Sequence, residues 1–191
     1  AAAALYSIFA KRGSAVWDMS SGFGGRLLGA AIARVNYIGT DPSTRTYEGL
    51  KKLAADYCGG IEVLLHKLGS EVYTPPPESL SFAFTSPPYF DLEKYSDECS
   101  QSYVKFPSID EWCEGFLAPT IMACHIGLKK GGVMALNIAN TKKVADIEAR
   151  AIFIASSVGF KVRPEWKLAL SNPAMKNKTG FKYEPIYIFQ K

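Results

Sequence analysis

Three short segments hold residue types that could bind a ligand and act on it. The first is Asp18-Met19-Ser20-Ser21-Gly22-Phe23-Gly24-Gly25. Glycines there let the backbone turn tightly and approach a ligand with no Cβ in the way. The second is Gly39-Thr40-Asp41, which ends a β-like run on a carboxylate able to hold two hydroxyls of a ribose. Asp41 has a plainer reading as the cap of the helix that follows, with Pro42 at its first position. The third segment is Thr85-Ser86-Pro87-Pro88-Tyr89-Phe90. Two consecutive prolines cannot continue a central strand, so the ladder ends there and the loop is stiff. Carbonyl oxygens are then held in fixed directions beside a hydroxyl and the flat ring of Tyr89. That set suits a planar heterocycle carrying an amino group: the ring stacks and the oxygens accept hydrogen bonds from the amine.

The elements around these loops alternate between two periodicities. Ala15–Met19, Asn36–Thr40, Ser81–Thr85 and Val133–Ile138 read as strands, and Ile61–His66 as a weaker one. Arg26–Arg34 reads as a small-residue helix. Thr44–Tyr57 reads as a second, with Tyr47, Leu50, Leu53, Ala54 and Tyr57 at helical spacing. Ser108–Leu128 is the clearest helix, opened by the capping-box pair Ser108 and Glu111, kinked at Pro119 and stopped by Lys129-Lys130-Gly131-Gly132. A further helix fits Val144–Val158. Phe160–Leu170 and Phe181–Gln190 read as a β-hairpin around the polar connection Ser171–Gly180. Alternating strand and helix followed by an antiparallel pair implies one α/β domain over residues 1–191. Ligands bind such sheets at the carboxyl ends of the strands, where the three segments fall.

Composition narrows the class. The chain has 191 residues, 48% hydrophobic and 21% charged, which suits a domain with a sizeable core and excludes a disordered or collagen-like chain. No apolar run approaches the roughly 18 residues of a membrane span. The four leading alanines are too short for a signal peptide's apolar region and carry no functional weight in this reading. Cys58, Cys99, Cys113 and Cys124 are scattered, with only His66 and His125 beside them, so no metal site is expected. Adjacent Cys124 and His125 lie in an apolar helical pattern and read as packing residues. Free thiols fit a cytoplasmic protein with no membrane partner. Residues 161–191 hold seven Lys/Arg against Glu165 and Glu184, a surplus larger than the chain's total of +4. A basic end of this kind either meets a phosphate backbone or is a solvated surface.

Together the motifs resemble those of class I, S-adenosylmethionine (SAM)-dependent methyltransferases, specifically the phage and bacterial amino-methyltransferases that modify adenine N6 or cytosine N4 in DNA. Asp18, Gly22 and Gly24 match the family's cofactor motif D-P-F-x-G-x-G, while Met19 and Ser20 depart from its Pro and Phe. Ser86-Pro87-Pro88-Tyr89 matches its catalytic motif (D/N/S)-P-P-(Y/F), in the family order. The likeness extends through SPPYFDLEKYSDE and SIDEWCEGFLAPTI and covers Val16 to Ile188. It implies a Rossmann-like sheet, mostly parallel with a C-terminal antiparallel hairpin, and SAM as cofactor. By the same resemblance Asp41 holds the ribose, and Asp18, Ser20, Gly22 and Gly24 surround the methionine part. Ser70 or Glu71 approaches the adenine edge. The Ser86 side chain and the Pro87 carbonyl accept from the target amine, and the base, flipped out of DNA, stacks on Tyr89 and Phe90.

Target recognition has fewer candidates. Asp91–Pro107, with Tyr95 and Tyr103, is either a substrate-binding loop or a surface excursion. Lys176 and Lys178 in the hairpin connection are the other contact candidates. No recognition domain is visible, so sequence reading falls to a separate domain or subunit, or the chain is the catalytic part of something larger. Two alternatives stand beside DNA methylation: transfer to RNA or to a protein amide, and a non-catalytic methyltransferase-fold module of a phage or mobile-element protein.

Overall fold

The computed structural model describes residues 1–90, 95–169 and 183–191. In chain order the elements are α1 (Ala2–Phe9), β1 (Ala15–Asp18), α2 (Gly25–Ala33), β2 (Asn36–Thr40), α3 (Thr44–Tyr57) and β3 (Val63–His66). A 3-10 turn at Ser70–Val72 leads to β4 (Leu80–Thr85), α4 (Ser102–Lys105) and α5 (Ile109–Trp112). A π-helical turn at Cys113–Leu117 joins α5 to α6 (Ala118–Gly127), followed by β5 (Leu128–Asn137), α7 (Ile147–Val158), β6 (Lys161–Ala169) and β7 (Tyr183–Gln190).

The seven strands form one sheet in the order β3-β2-β1-β4-β5-β7-β6. The pairs from β3 to β5 are parallel, and β7 runs antiparallel to both β5 and β6. This is the expected α/β architecture with its terminal antiparallel hairpin. Side-chain alternation decides which face each residue serves. Trp17, Ala83, Met134, Leu136, Tyr187 and Phe189 join a core covered by α5, α6 and α7. Their neighbours Val16, Phe82, Phe84, Ala135, Ile186 and Ile188 join a second core under α1, α2 and α3. Strand order reverses between β1 and β4, so the carboxyl ends of β1, β2, β3, β4 and β5 open onto one edge.

Several sequence expectations need correction. The leading alanines belong to α1, where Ala2 packs so closely on α2 that a Cβ on Gly29 would lie 2.7 Å from Ala2 Cβ. The long helix starts on the expected Ser108–Glu111 capping box but is broken by the π turn just ahead of Pro119. Proline has no N–H for the carbonyl one turn back, so the ladder widens there. Lys129-Lys130-Gly131-Gly132 does not follow a helix end as a separate stop. The helix ends at Gly127, and those residues form a register break inside β5, between the pairs Leu80–Leu128 and Phe82–Val133. The helix placed from Val144 starts at Ile147. In α3 only Leu50 is buried, Leu53 and Ala54 pack at the core's margin, and Tyr57 faces solvent. Cys124 is buried and His125 packs edge-on to Phe160, as packing residues should. Residues 170–182, with Lys176 and Lys178, and the first residues of the Asp91–Pro107 insert lie outside the described residues. Among the described residues no helix is long and apolar enough to cross a membrane.

One close approach ties the sheet to the loop above β1. A Cβ on Gly39 of β2 would lie 2.5 Å from Ser21 Oγ, 2.6 Å from Tyr37 Cε1 and 3.1 Å from Leu65 Cδ2. Tyr37 is buried and cannot swing aside. Gly39→Ala is therefore expected to cost about 1–3 kcal/mol through overpacking, read as a lowered urea midpoint at unchanged m-value.

Candidate active site

The site begins with a buried charge. Asp18, the last residue of β1, is fully buried, and a buried carboxylate must be paired. Its Oδ2 accepts from Arg26 Nε at 2.8 Å and from the Tyr37 hydroxyl at 2.7 Å, and its Oδ1 accepts from the Ser20 amide at 3.3 Å. Arg26 also donates to the Ser20 carbonyl and lies over the Phe84 ring, 5.8 Å from its centroid. Burial first, and then the Asp18 charge, push the Tyr37 hydroxyl well above its usual pKa, so it stays a donor.

The loop between β1 and α2 is thereby folded back on the sheet. The Ser21 amide donates to the Thr40 carbonyl at 3.0 Å, and Gly22, at φ 54°, donates its amide to Asp41 Oδ2 at 2.9 Å. The other oxygen of Asp41 accepts from the Ser43 amide at 3.0 Å. Asp41 is not the cap of α3: Ser43 is, its hydroxyl accepting from the Thr46 amide, and the helix begins at Thr44. Burial outweighs the bonds from Ser43 and Gly22 and raises the Asp41 pKa to about 6. Each carboxylate oxygen keeps lone-pair capacity for a ligand hydroxyl.

Above these residues lies a cavity of about 660 Å³, a size suited to a nucleoside-bearing small molecule. Ser20, Gly22 and Arg26 form its wall at β1, Asp41 and Ser43 at β2, and Ser70 and Glu71 after β3. Ser86 and Pro88 line it at the end of β4, and Asn137 at the end of β5. Tyr95, Ser100, Gln101 and Ser102 close it from the insert, and Ala1 and Ala2 from the N-terminal side. The glycine loop and the Ser-Pro-Pro-Tyr corner thus face one space.

Some expected residues stand behind the wall instead of in it. Asp18 does not line the cavity; it holds the loop from beneath through Arg26 and Tyr37. Gly24 is buried at the start of α2, and Pro87 is buried under the corner. Neither Tyr89 nor Phe90 lines the cavity. The Tyr89 hydroxyl donates to the Asn137 carbonyl at 3.3 Å, and the Phe90 ring packs edge-on to Trp112 with centroids 6.4 Å apart. Both rings join the core under α5 and α6, so in this structure they stiffen the corner. Tyr95, half exposed, does line the cavity. Ser70 does too, but its hydroxyl is engaged with Thr120 at 2.8 Å.

Arg26, Asn137 and Gln101 were not singled out by the sequence reading. Arg26 is the only charge in the helix GRLLGAAIA, a signal that a sequence reading can use. Asn137 sits at the end of an apolar strand, and Gln101 in a polar stretch that marks nothing about its direction. Two buried atoms at the cavity have no hydrogen-bond partner among the described residues: Glu71 Oε2, an acceptor, and Gln101 Nε2, a donor. Buried polar atoms ordinarily have partners, so these fit a ligand that supplies them.

No protein-family model and no curated protein sequence matches the chain. Solved structures share its fold. A TehB-like SAM-dependent methyltransferase from Corynebacterium glutamicum aligns over 100% of this chain and 86% of its own, at 13% identity and a TM-score of 0.64. A SAM-dependent methyltransferase from Methanosarcina mazei covers 98% and 96%, at 11% identity and 0.67. The cyclopropane synthase MmaA2 from Mycobacterium tuberculosis covers 82% and 58%, at 13% identity and 0.60. The likeness is one of fold: this chain has the class I methyltransferase architecture, which serves more than one chemistry.

The paired charge under the loop generates a stability prediction. Arg26→Leu leaves Asp18 buried without its cation, and breaking such a pair costs about 3–5 kcal/mol. Urea unfolding of Arg26→Leu beside the parent protein measures it. A loss below about 1 kcal/mol would mean that Tyr37 and the Ser20 amide suffice to hold the carboxylate.

Proposed function

We propose that the chain is a SAM-dependent methyltransferase acting on the exocyclic amine of a flipped DNA base, cytosine N4 or adenine N6. The observation that carries this reading is the shared cavity: Ser20, Gly22, Arg26, Asp41, Glu71 and Ser86 line one space in the order imposed by the sheet. From β3 to β4 that order is an adenine-edge acceptor, a ribose-binding carboxylate, a glycine loop and the Ser-Pro-Pro corner. It follows the connectivity of SAM from base to sulfonium. The class I fold and the resemblance of Asp18-x-x-x-Gly22-x-Gly24 and Ser86-Pro87-Pro88-Tyr89 to amino-methyltransferase motifs support it further.

SAM, when bound, supplies an electrophilic methyl group on sulfur. The protein's own task is then to position the amine. An exocyclic amine is a weak nucleophile because its lone pair is delocalised into the ring. In this reading the Ser86 hydroxyl, on the cavity wall, and the main-chain carbonyl of Pro87, a residue otherwise buried behind that wall, accept its two N–H groups and favour a tetrahedral nitrogen, whose lone pair points at the donor. Proline on both sides of that carbonyl fixes its direction before the substrate arrives, which is preorganisation in place of reorganisation. Direct transfer needs no protein nucleophile, so the scattered cysteines have no role in it. DNA is favoured over RNA or a protein amide by Ser86 and by the family-like text after Tyr89, and the basic strand β6 with Lys161, Arg163 and Lys167 offers a phosphate contact.

Labelled SAM with mixed-sequence DNA, followed by digestion to nucleosides, is expected to yield N6-methyladenine or N4-methylcytosine. SAM binding with neither product contradicts the DNA reading, and label in parallel RNA or protein reactions reassigns the substrate. Ser86→Ala is expected to slow turnover about 100-fold with S-adenosylhomocysteine affinity unchanged. Affinity for that product should also depend on pH through Asp41. Its two oxygens accept both ribose hydroxyls best when ionised, and protonation weakens that pairing, so affinity is greatest well above pH 6 and falls as pH drops through it. Calorimetry from pH 5 to 8 checks this, and Asp41→Ala is expected to flatten the profile and weaken binding throughout.

A further inference from the structure

We infer that Gln101, in the segment following the Ser-Pro-Pro-Tyr corner, reads the adenine ring of the bound cofactor together with Glu71; this rests on the cavity being the SAM site. Gln101 is 7% exposed, lines the cavity, and its Nε2 has no acceptor among the described residues. Glu71 lines the same cavity with one carboxylate oxygen paired to Lys105 at 2.7 Å and the other buried without a donor. One buried donor and one buried acceptor are left facing a ligand. The edges of adenine present the complementary pair, an N6 amine that donates and a ring nitrogen that accepts.

The fold places Gln101 at the adenine end. Its segment is tied to the end of β2 by Ser100, whose hydroxyl donates to the Pro42 carbonyl at 3.3 Å. Glu98 adds a second tie, accepting from the Thr44 amide at 3.0 and 3.2 Å and from the Thr44 hydroxyl at 3.0 Å. Four residues beyond Gln101, Lys105 reaches Glu71 after β3. Gln101 therefore sits between anchors in the segments that follow β2 and β3, strands two or more from β4, which carries Ser86 at its end, in the sheet order. Its backbone is held as well, since it caps α4, and the next residue, Ser102, accepts from Trp112 Nε1 at 3.1 Å.

Because the free protein already bears the cost of burying this amide, a bond made on binding is worth more than an average one. Replacing Gln101 by an apolar residue should therefore act in opposite directions on stability and binding. The test is calorimetry of S-adenosylhomocysteine and its 1-, 3- and 7-deaza analogues with the parent protein and Gln101→Leu, plus thermal melting without ligand. Gln101→Leu is expected to melt no lower than the parent and to bind S-adenosylhomocysteine about 10-fold or more weakly. With the parent protein one deaza analogue should bind weakly by a similar factor, and with Gln101→Leu that analogue and S-adenosylhomocysteine should bind alike. Gln101→Glu keeps the shape, replaces the donor by an acceptor, and should lose at least as much affinity. Affinity of Gln101→Leu within twofold of the parent, or deaza penalties unchanged by the substitution, overturns the inference. Failure of the parent protein to bind S-adenosylhomocysteine at all instead sinks the cofactor reading on which it rests.

Discussion

A carboxylate with no access to water stands at the end of β1, and the surrounding architecture is arranged to keep it paired. Asp18 draws Arg26 back from the first turn of α2 and the Tyr37 hydroxyl across from β2. The backbone between them, Met19 to Gly25, closes into a loop in which the Ser20, Ser21, Gly22 and Gly24 amides each have a protein partner. Arg26 reaches on to the Phe84 ring of β4, two residues before Ser86. One buried ion pair thus sets both the shape of the glycine loop and its contact with the strand that carries the Ser-Pro-Pro-Tyr corner. Arg26, at 19% side-chain exposure, is the member of the pair that also meets the cavity.

Strand order converts this local constraint into a chemical sequence. β1 lies at the centre, with β2 and β3 on one side and β4 and β5 on the other, so carboxyl-end loops far apart in the chain become neighbours along one edge. Glu71, Asp41, Gly22, Ser86 and Asn137 then line one cavity in that order. The insert after β4 closes this row from above, bound to Glu71 at one end of the row and to Pro42 and Thr44 beside Asp41. Burial at the cavity wall raises the Asp41 pKa to about 6, so its charge is held at a cost in this partly dry position.

What could be read without coordinates was what local chemistry decides. Helix α3 runs over the expected Thr44–Tyr57, the Ser108–Glu111 capping box is present, and the loops holding Gly22 and Ser86 sit at strand ends. Each rests on periodicity, capping or proline stiffness, which act within a few residues. What escaped is decided by distant partners. Alanine has no signature that separates a cavity wall from a frayed end, so nothing in the sequence marks the start of α1. Lys129-Lys130-Gly131-Gly132 reads as a helix stop, yet its place is set by pairing with β4. Tyr89 and Phe90 look like stacking rings by type, and only the position of Trp112 and Asn137 turns them inward. Gln101 is invisible in sequence because its role lies in lacking a partner.

The central claim is spatial: one ligand spans the cavity with its base beneath Gln101 and Glu71, its ribose at Asp41 and its sulfur facing Ser86. A crystal structure of the protein with S-adenosylhomocysteine measures this directly. The expected density has the ribose hydroxyls within hydrogen-bond distance of Asp41 and the sulfur directed toward the Ser86–Pro87 corner. A ligand bound elsewhere, or in this cavity with its sulfur directed away from Ser86, contradicts the account.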